Sequence, residues 1–277
     1  MSSTATRWRA QVRARLGETA RLRVRAGFPV ELWSAPRARR YARRVPLATP
    51  SDPLLRRLLD EPARTYLDLG AGAGRLAIPL ARAGRQVIAV EPSAGMRAAL
   101  ERAVLERAVL ERAAGRTPGI RIVPAAWPVP GLSGEVAFSS HVLFLVEDAD
   151  GFLRAMTAAS RRRFLLLAAL HSDAIADPLW RHFHGVPRKP SPTYLDAVAI
   201  LRGQGARPRV TMLPAPPPPR YPSVAAAATD YREHLALPGD ATTRRELRDA
   251  LRSWLVRRDG GFEAPAAARP AIIEWGT

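Results

Sequence analysis

The feature that most constrains this chain is a glycine-rich stretch between two short apolar segments. Residues 66–69 (YLDL) precede glycines at positions 70, 72 and 74, and residues 86–90 (QVIAV) end at Glu91. A helical stretch and Gly84 lie between them. The order of strand, glycine turn, helix and strand predicts one right-handed crossover unit of a parallel sheet. Glycine suits the turn because the backbone bends sharply there and can approach a ligand closely.

The charges beside this turn indicate what kind of ligand it holds. Dinucleotide enzymes have the pattern G-x-G-x-x-G, but here the third glycine comes one residue early and Arg75 takes its place. Asp68 stands two residues before the first glycine, where a pyrophosphate gains nothing from a negative charge. A ligand with a cation and a ribose fits better, because Asp68 can face the cation and Glu91 can accept hydrogen bonds from both ribose hydroxyls.

Residues 67–75 (LDLGAGAGR) and 90–93 (VEPS) resemble the class I S-adenosylmethionine-dependent methyltransferases, and so does the spacing of 17 residues from Gly74 to Glu91. The resemblance implies an α/β fold with a doubly wound, seven-stranded, mostly parallel sheet of the Rossmann-like methyltransferase type. It implies an enzyme with S-adenosyl-L-methionine as cofactor, whose acceptor N, O or C atom attacks the sulfonium methyl group in line. Positioning and desolvation then suffice, without a protein nucleophile.

The resemblance also implies roles for single residues in this sequence. Asp68 would orient the amino-acid end of the cofactor, Glu91 would bind its ribose, and Pro92 and Met96 would pack beside its adenine. The complete set of expected cofactor-binding residues is Asp68, Gly70, Ala71, Gly72, Gly74, Glu91, Pro92, Met96, Ala126, Trp127 and Ser139.

The expected third strand, residues 119–127, departs from the family pattern at its end. Many relatives have an acid there that accepts from the adenine amino group, whereas this chain has Ala126 and Trp127. A backbone N–H near Ala126 and the flat face of Trp127 are the remaining candidates to hold the base. The alternative for Trp127 is a plain core aromatic.

The expected fourth strand, residues 135–138, is followed by Ser139 and His141. Ligands of open α/β sheets bind at the carboxyl ends of the strands. Ser139 is therefore a candidate for contact with the cofactor or the acceptor, and His141 for a base or a substrate-orienting group, with a structural histidine as the alternative. The Asn/Asp-Pro-Pro-aromatic motif of nucleic-acid amino-methylating enzymes is absent from this position.

Composition excludes several other kinds of site. The chain has no cysteine, which excludes disulfides, thiolate zinc sites and a cysteine nucleophile. His182 and His184 have no third ligand at a familiar spacing, so no metal site is predicted. No apolar run approaches ~20 residues and no secretory signal is visible, so we expect a cytoplasmic protein without a membrane span.

The net charge is +18, and residues 1–46 alone carry twelve arginines against two glutamates. A polyanionic partner and the arginine bias of a GC-rich genome are alternative explanations. The N-terminal pattern predicts an amphipathic helix with an arginine-rich back. This helix could pack on the domain, anchor RNA or an anionic surface, or act as a transit peptide. Its apolar residues recur every four positions: Trp8, Val12, Leu16, Ala20 and Val24.

The remaining segments complete the expected organisation. Residues 1–46 form a basic helical cover with a second helix over Glu31–Arg44, and residues 47–277 form the methyltransferase domain with cap insertions around 172–192 and 221–262. Further strands are expected at 163–170, 207–213 and 271–275, the last of them antiparallel. A proline-rich linker is expected at 214–222, and helices at 96–114, 224–235 and 242–257.

The preferred function is methylation of a small-molecule acceptor. It follows from the missing amine-binding motif, the missing cysteine and the inserted cap with Trp180, Tyr194 and Tyr231. The alternatives are an RNA methyltransferase that uses the arginine-rich N-terminus, and a non-catalytic module that binds S-adenosylmethionine. The sequence leaves the acceptor atom and the oligomeric state open.

Overall fold

The computed structural model describes residues 3–113, 119–168, 174–265 and 268–276. Its helices are α1 (Ser3–Arg25), α2 (Ala35–Arg44), α3 (Pro53–Asp60), α4 (Ala77–Arg82), α5 (Ala94–Ala113), α6 (Ala149–Ala159), α7 (Ala176–His184), α8 (Tyr194–Gly203), α9 (Val224–His234) and α10 (Ala241–Trp254). Its strands are β1 (Thr65–Leu69), β2 (Gln86–Val90), β3 (Ile120–Val123), β4 (Val136–Ser140), β5 (Arg162–Ala168), β6 (Arg209–Met212), β7 (Arg220–Tyr221), β8 (Val256–Arg258), β9 (Gly261–Glu263) and β10 (Pro270–Gly276).

The main sheet has seven strands in the order β3-β2-β1-β4-β5-β10-β6. The strands β1 to β5 pair in parallel, and β10 runs antiparallel to both β5 and β6. This confirms the predicted seven-stranded, mostly parallel sheet with a late antiparallel strand. Leu69 pairs with Val90 and Asp68 with Phe138, so the carboxyl ends of β1, β2 and β4 meet at one edge of the sheet.

Both faces of the sheet are buried, because successive positions of the central strands are apolar and successive side chains point to opposite faces. Leu67, Leu69, Ala137 and Leu165 belong to a core with α1, α6 and α8. The opposite core lies under α3, α4 and α5, and the strand residues that enter it include Tyr66, Val136, Phe138, Phe164 and Leu166. In a strand Asp68 points to the same face as Tyr66, so its carboxylate lies on the α4 and α5 side.

The N-terminal helix α1 packs on the domain. Trp8 and Val12 are buried, and the Trp8 indole N–H donates to the carbonyl of Val146 at 2.8 Å. Val24 is 58% exposed. A step of four residues advances a helix by about 400°, so the apolar stripe drifts by about 40° per step and leaves the contact surface before it reaches Val24.

The arginines on this helix form ion pairs with acids of the same chain. Arg9 lies 2.8 Å from Asp148, the N-cap residue of α6, and Arg13 lies 2.9 Å from Glu147. A third pair joins Arg7 to Asp196 in the first turn of α8, at 3.0 Å. Carboxylates at helix N-termini are favoured by the helix dipole, and α1 places cations beside them.

The region after α5 follows the prediction less closely. The five-residue repeat does not make one apolar stripe, because Leu100 is fully buried while Leu105 is 67% exposed. Residue 114, at the expected end of this helix, lies outside the described residues, as do residues 169 and 170 of the predicted strand 163–170. The strand predicted over 119–127 ends at Val123, where Pro124 has no N–H to continue the ladder.

The cap has its own apolar core and contains strands that the sequence analysis did not predict. The helices α7, α9 and α10 share a core with a small antiparallel sheet of order β7-β9-β8. We predicted a linker at 214–222 and a helix to residue 257, but β7 lies within the linker and α10 ends at Trp254. The strands β8 and β9 form a hairpin around Asp259 and Gly260, a dipeptide typical of two-residue turns.

The helix predicted over Glu31–Arg44 begins only at Ala35, so Trp33 precedes α2 instead of lying on it. Pro36 stands in the first turn of α2, where its missing N–H has no cost. None of the described helices combines the length and the apolar character that a membrane span requires.

Candidate active site

The glycine turn connects β1 to α4 and lies against the end of β2. Gly70, Gly72 and Gly74 all have left-handed backbone conformations, with φ of +84°, +57° and +86°. The N–H groups of Gly70 and Ala71 both donate to the carbonyl of Val90, at 2.8 and 3.1 Å. The turn is therefore fixed to the strand that carries Glu91.

The three glycines have different surroundings. A Cβ at Gly70 would lie 2.4 Å from Cγ2 of Val142, and one at Gly74 would lie 2.5 Å from Cδ1 of Leu100. A Cβ at Gly72 would meet no atom within 4 Å. The outer glycines thus make room for the protein's own side chains, whereas the middle glycine borders open space in which a ligand can approach the backbone.

Glu91 is buried at the end of β2 and already holds the turn. Its Oε2 accepts from the N–H of Gly72 and its Oε1 from the N–H of Ser93, both at 2.8 Å. Burial raises the pKa of Glu91, and the two backbone hydrogen bonds oppose that shift. Each carboxylate oxygen has two acceptor positions, so each keeps one for a further donor, and a ribose hydroxyl as that donor stays a prediction.

Asp68 is the most unusual charged group of the site. Its side chain is 3% exposed, and it has no hydrogen-bond or ion-pair partner among the residues that the structure describes. Burial raises its pKa well above the usual value, and the negative charge of Glu91 raises it further. A buried carboxylate without a partner is costly, and a bound cation would remove that cost. The role of Asp68 toward the amino-acid end of S-adenosylmethionine stays a prediction.

The residues expected beside adenine lie around the start of α5. Pro92 is exposed and Met96 is buried, and the N–H of Met96 donates to Oγ of Ser93 at 3.3 Å. The guanidinium of Arg97 holds this corner by donating to the carbonyls of Glu91 and Pro92, at 3.0 and 2.6 Å. Pro92 and Met96 are thus brought next to Glu91, and their contact with adenine stays a prediction.

Ala126 and Trp127 follow β3 at the same edge of the sheet. Ala126 is exposed, while Trp127 is half-buried and packs against the core under α6. The Trp127 indole N–H donates to the carbonyl of Phe152 at 3.2 Å. Trp127 therefore has the contacts of a core aromatic, and a role of its face in holding the base stays a prediction.

Ser139 and His141 end β4 in different environments. Ser139 is buried, and its hydroxyl donates to the carbonyl of Leu69 at 2.7 Å, which ties β4 to β1. His141 has a left-handed backbone with φ of +57°, and the residue is exposed to solvent. Crowding by protein atoms and the charge of Arg75 lower the pKa of His141 to about 4, so the imidazole is neutral near pH 7.

The structure adds Arg75, its ion-pair partner Asp52 and the nearby Tyr41 to this edge, and the sequence analysis assigned none of them to the site. Arg75 forms an ion pair with Asp52, whose other carboxylate oxygen caps α3 by accepting from Leu54 and Leu55. Burial raises the pKa of Tyr41, and the charge of Arg75 opposes that shift. An arginine directly after the last glycine was the available sequence signal for this group.

The segment before α2 lies on the corner beside Glu91. The hydroxyl of Ser93 lies 3.1 Å from Oε1 of Glu31 and 3.2 Å from the carbonyl of Trp33. A Cβ at Gly95 would lie 2.2 Å from that same carbonyl, so only glycine permits this approach. The cover therefore contacts the turn that directly follows Glu91.

In the part of the chain that the structure describes, no three histidine, cysteine or acidic side chains are grouped closely enough to hold a metal ion. His182 lies 2.8 Å from Oε1 of Glu246, and His184 donates to the carbonyl of Leu235 at 2.8 Å. Both imidazoles thus have protein partners in the cap.

The strand order, the glycine turn at its switch point and the two buried carboxylates define a Rossmann-like protein of the methyltransferase type. Residues 67–163 match the family model described as a methyltransferase domain. The chain therefore contains a methyltransferase domain, the domain of an enzyme with S-adenosyl-L-methionine as its cofactor.

Solved structures with a similar fold include the YcgJ protein from Bacillus subtilis, which is 15% identical, with a TM-score of 0.50 over 80% of this chain and 96% of that chain. Another is magnesium protoporphyrin IX methyltransferase from Synechocystis PCC 6803 with bound SAH, which is 19% identical, with a TM-score of 0.47 over 60% of this chain and 75% of that chain. The similarity to YcgJ shows a shared fold. No curated protein matches the sequence.

Proposed function

We propose that this enzyme transfers the methyl group of S-adenosyl-L-methionine to an N, O or C atom of a small-molecule acceptor. The observation that carries the proposal is the position of the cover. The carbonyl of Trp33 contacts Ser93, two residues after Glu91, so the N-terminal segment lies directly over one end of the cofactor turn. An acceptor then has to fit between the sheet edge, the cover and the cap, which favours a small molecule over a polymer.

The arginines of α1 support the same choice. An RNA anchor requires cations that are available to neutralise phosphates. Here Arg7, Arg9 and Arg13 are paired with acids of α6 and α8 or of the turn before α6. Their charges thus stabilise the contact between α1 and the domain.

Each residue of the site would contact a different part of the cofactor. Asp68 would accept from the ammonium group, Glu91 from the two ribose hydroxyls, and Gly72 gives the ligand access to the backbone. The cofactor, when bound, supplies a methyl group on a sulfonium that is already activated for attack. The chain therefore has to exclude water and orient the acceptor, with no nucleophile of its own.

His141 is the proposed base or substrate-orienting group. It follows β4 at the same edge of the sheet as the glycine turn, and its side chain is exposed. The lowered pKa keeps the imidazole neutral, so one ring nitrogen can accept a proton or a hydrogen bond from the acceptor. The backbone N–H of His141 donates to the carbonyl of Leu166 at 2.8 Å, which fixes the position of the residue.

The test is to incubate the protein with S-adenosylmethionine labelled in its methyl group and an extract of the source organism. The extract is first separated into RNA, protein and small-molecule fractions. We expect label in the small-molecule fraction. Label in the RNA fraction alone would favour the RNA alternative, and heat of S-adenosylmethionine binding in calorimetry without label in any fraction would indicate a non-catalytic module.

A further inference from the structure

Basic and acidic side chains meet where the cover lies against α9 of the cap. We call this group the cover–cap cluster; its members are Arg23, Arg37, Arg40, Arg44, Asp230 and Glu233. Between them, the two acids form ion pairs with three of the four arginines. Arg40 pairs with both acids, Arg23 with Glu233 at 3.4 Å, and Arg44 with Asp230. The cluster has four cations and two anions, so it lacks negative charge.

Arg37 is the member of the cluster without an acid. It forms no ion pair with any residue that the structure describes. Its Nη1 donates to the carbonyl of Leu32 at 3.2 Å, and its guanidinium lies 4.9 Å from the centre of the Trp33 ring. A guanidinium has five N–H groups in a planar fork, so most of the donors of Arg37 have no protein acceptor.

The environment of Arg37 is unfavourable for an isolated cation. The pKa of Arg37 is lowered to about 10, chiefly by burial, and the neighbouring charges of Arg23 and Arg40 contribute in the same direction. Glu233 opposes this shift, but its carboxylate already serves Arg23 and Arg40. An oxyanion bound at Arg37 would supply the missing negative charge and two parallel acceptors.

The position of Arg37 connects it to the proposed active site. The ring of Trp33 lies 4.9 Å from the Arg37 guanidinium and 5.0 Å from the Tyr41 ring, and its carbonyl contacts Ser93 beside Glu91. Arg37 and Tyr41 are four residues apart on α2, so they share one face of the helix. Tyr41 is also close enough to Arg75, after the last glycine, for that charge to affect its pKa.

We propose that Arg37 binds an oxyanion of the acceptor, so that the small molecule methylated by this enzyme carries a carboxylate or phosphate group beside the surface of Trp33 and Tyr41. This inference rests on the proposed function and adds the charge of the substrate to it. The positive charge of the cluster would attract such an acceptor, and the planar guanidinium would fix its orientation relative to the methyl group.

The experiment uses the full chain and the small-molecule fraction of the same extract, separated on an anion-exchange resin before incubation. Retained and unretained portions are each incubated with labelled S-adenosylmethionine and the wild-type protein, R37Q or R39Q. Arg39 is an exposed arginine of the same helix, so R39Q is the matched control. The affinity of each variant for S-adenosylhomocysteine is measured by calorimetry without acceptor, which also shows whether the variant is folded.

We expect label from the retained portion, a rate at least roughly tenfold lower for R37Q than for the wild-type protein and R39Q, and equal affinities of all three for S-adenosylhomocysteine. Label only from the unretained portion, or equal rates of R37Q and R39Q, would overturn the inference and leave the proposed function intact. A weaker affinity of R37Q alone for S-adenosylhomocysteine would also overturn the inference, because it would show that Arg37 binds the carboxylate of the cofactor and not an oxyanion of the acceptor. Label in the RNA fraction alone would overturn both proposals.

Discussion

At the scale of single residues, the glycines of the turn predict two different mutational outcomes. Gly70→Ala combines a left-handed backbone with a Cβ 2.4 Å from Val142, so we expect it to lower the free energy of unfolding by about 2 kcal/mol or more. Gly72→Ala has only the backbone cost, about 1 kcal/mol, but its Cβ enters the ligand space. Urea denaturation and calorimetry with S-adenosylhomocysteine separate the two effects. Equal stability losses would contradict this account of the turn.

The buried charge of Asp68 is expected to lower the stability of the folded protein while it strengthens binding of S-adenosylmethionine. The pKa of Asp68 in the folded protein lies well above 3.8, its ordinary value in an unfolded chain. The contribution of Asp68 to the free energy of unfolding is therefore fully present below pH 3.8, and it is lost as the pH rises through the folded-state pKa. Asp68→Asn removes the buried charge, so we expect the variant to be more stable than the wild-type protein at pH 8, by about 1–3 kcal/mol.

The same variant should bind S-adenosylmethionine at least roughly tenfold more weakly, because the charge that faces the cation is lost. Denaturation at pH 5 and pH 8, with exposed Asp60→Asn as control, measures the stability effect, which should be larger at pH 8. A variant with lower stability at both pH values would indicate that the Asp68 carboxylate has a structural partner.

His141 can be tested without a change of backbone conformation. Asparagine tolerates the left-handed region, so His141→Asn keeps the turn while it removes the imidazole. Loss of a general base lowers kcat by roughly 10²–10⁴-fold, and the affinity for S-adenosylhomocysteine should not change. Since the pKa of His141 is about 4, its protonation should not reduce the wild-type rate between pH 6 and 8. An unchanged kcat would show that the residue is structural.

At the scale of elements, the helices, strands and turns that could be predicted best from the sequence are those determined by residues close together in the chain. The strands β1 and β2 and the turn between them follow from local apolar runs and glycines. The strands of the small sheet were missed because β7 to β9 have two or three residues each and are largely polar. Their pairing depends on the core that the cap forms around them.

Prediction of the candidate site was likewise limited to residues that a local sequence pattern marks. Asp68 could be found because it stands two residues before the glycine turn, and Glu91 because it directly follows the next apolar run at the family's spacing. The pair of Arg75 with Asp52 and the stacking of Arg37 on Trp33 could not, because arginine occurs throughout the chain and only the fold selects which ones meet a partner. Tertiary contacts also decide that α2 begins after Trp33, whose carbonyl is held by Ser93.

The helix α1 predicts a large effect of one aromatic residue on stability. Trp8 is 1% exposed and donates to Val146, so Trp8→Ala should lower the free energy of unfolding by roughly 3–5 kcal/mol. The exposed Arg21→Ala on the same helix should have little effect. Urea denaturation measures both. A small loss for Trp8→Ala would mean that α1 detaches easily, which would restore the case for an external anchor.

At the scale of the whole molecule, a net charge of +18 makes the folded state sensitive to ionic strength. The ion pairs of α1 and of the cover–cap cluster act over short distances, whereas repulsion among the surplus arginines extends over the surface. The Debye length falls from ~10 Å at 0.1 M salt to ~3 Å at 1 M, so salt screens the long-range repulsion first. Compact charged proteins lose stability through that repulsion.

We therefore expect the Tm to rise when NaCl is increased from about 0.05 to 0.5 M, by roughly 2–4 °C, which corresponds to about 1 kcal/mol for a chain of this size. Chloride is the suitable anion, because sulfate or phosphate would also bind at Arg37 if the cluster accepts oxyanions. R37Q and R39Q each remove one positive charge, so they should shift the Tm similarly in chloride. Phosphate stabilises folded proteins generally, so all three should gain stability when it replaces chloride at equal ionic strength, but the wild-type protein and R39Q should gain more than R37Q. A Tm that falls with NaCl would show that the short-range ion pairs outweigh the repulsion.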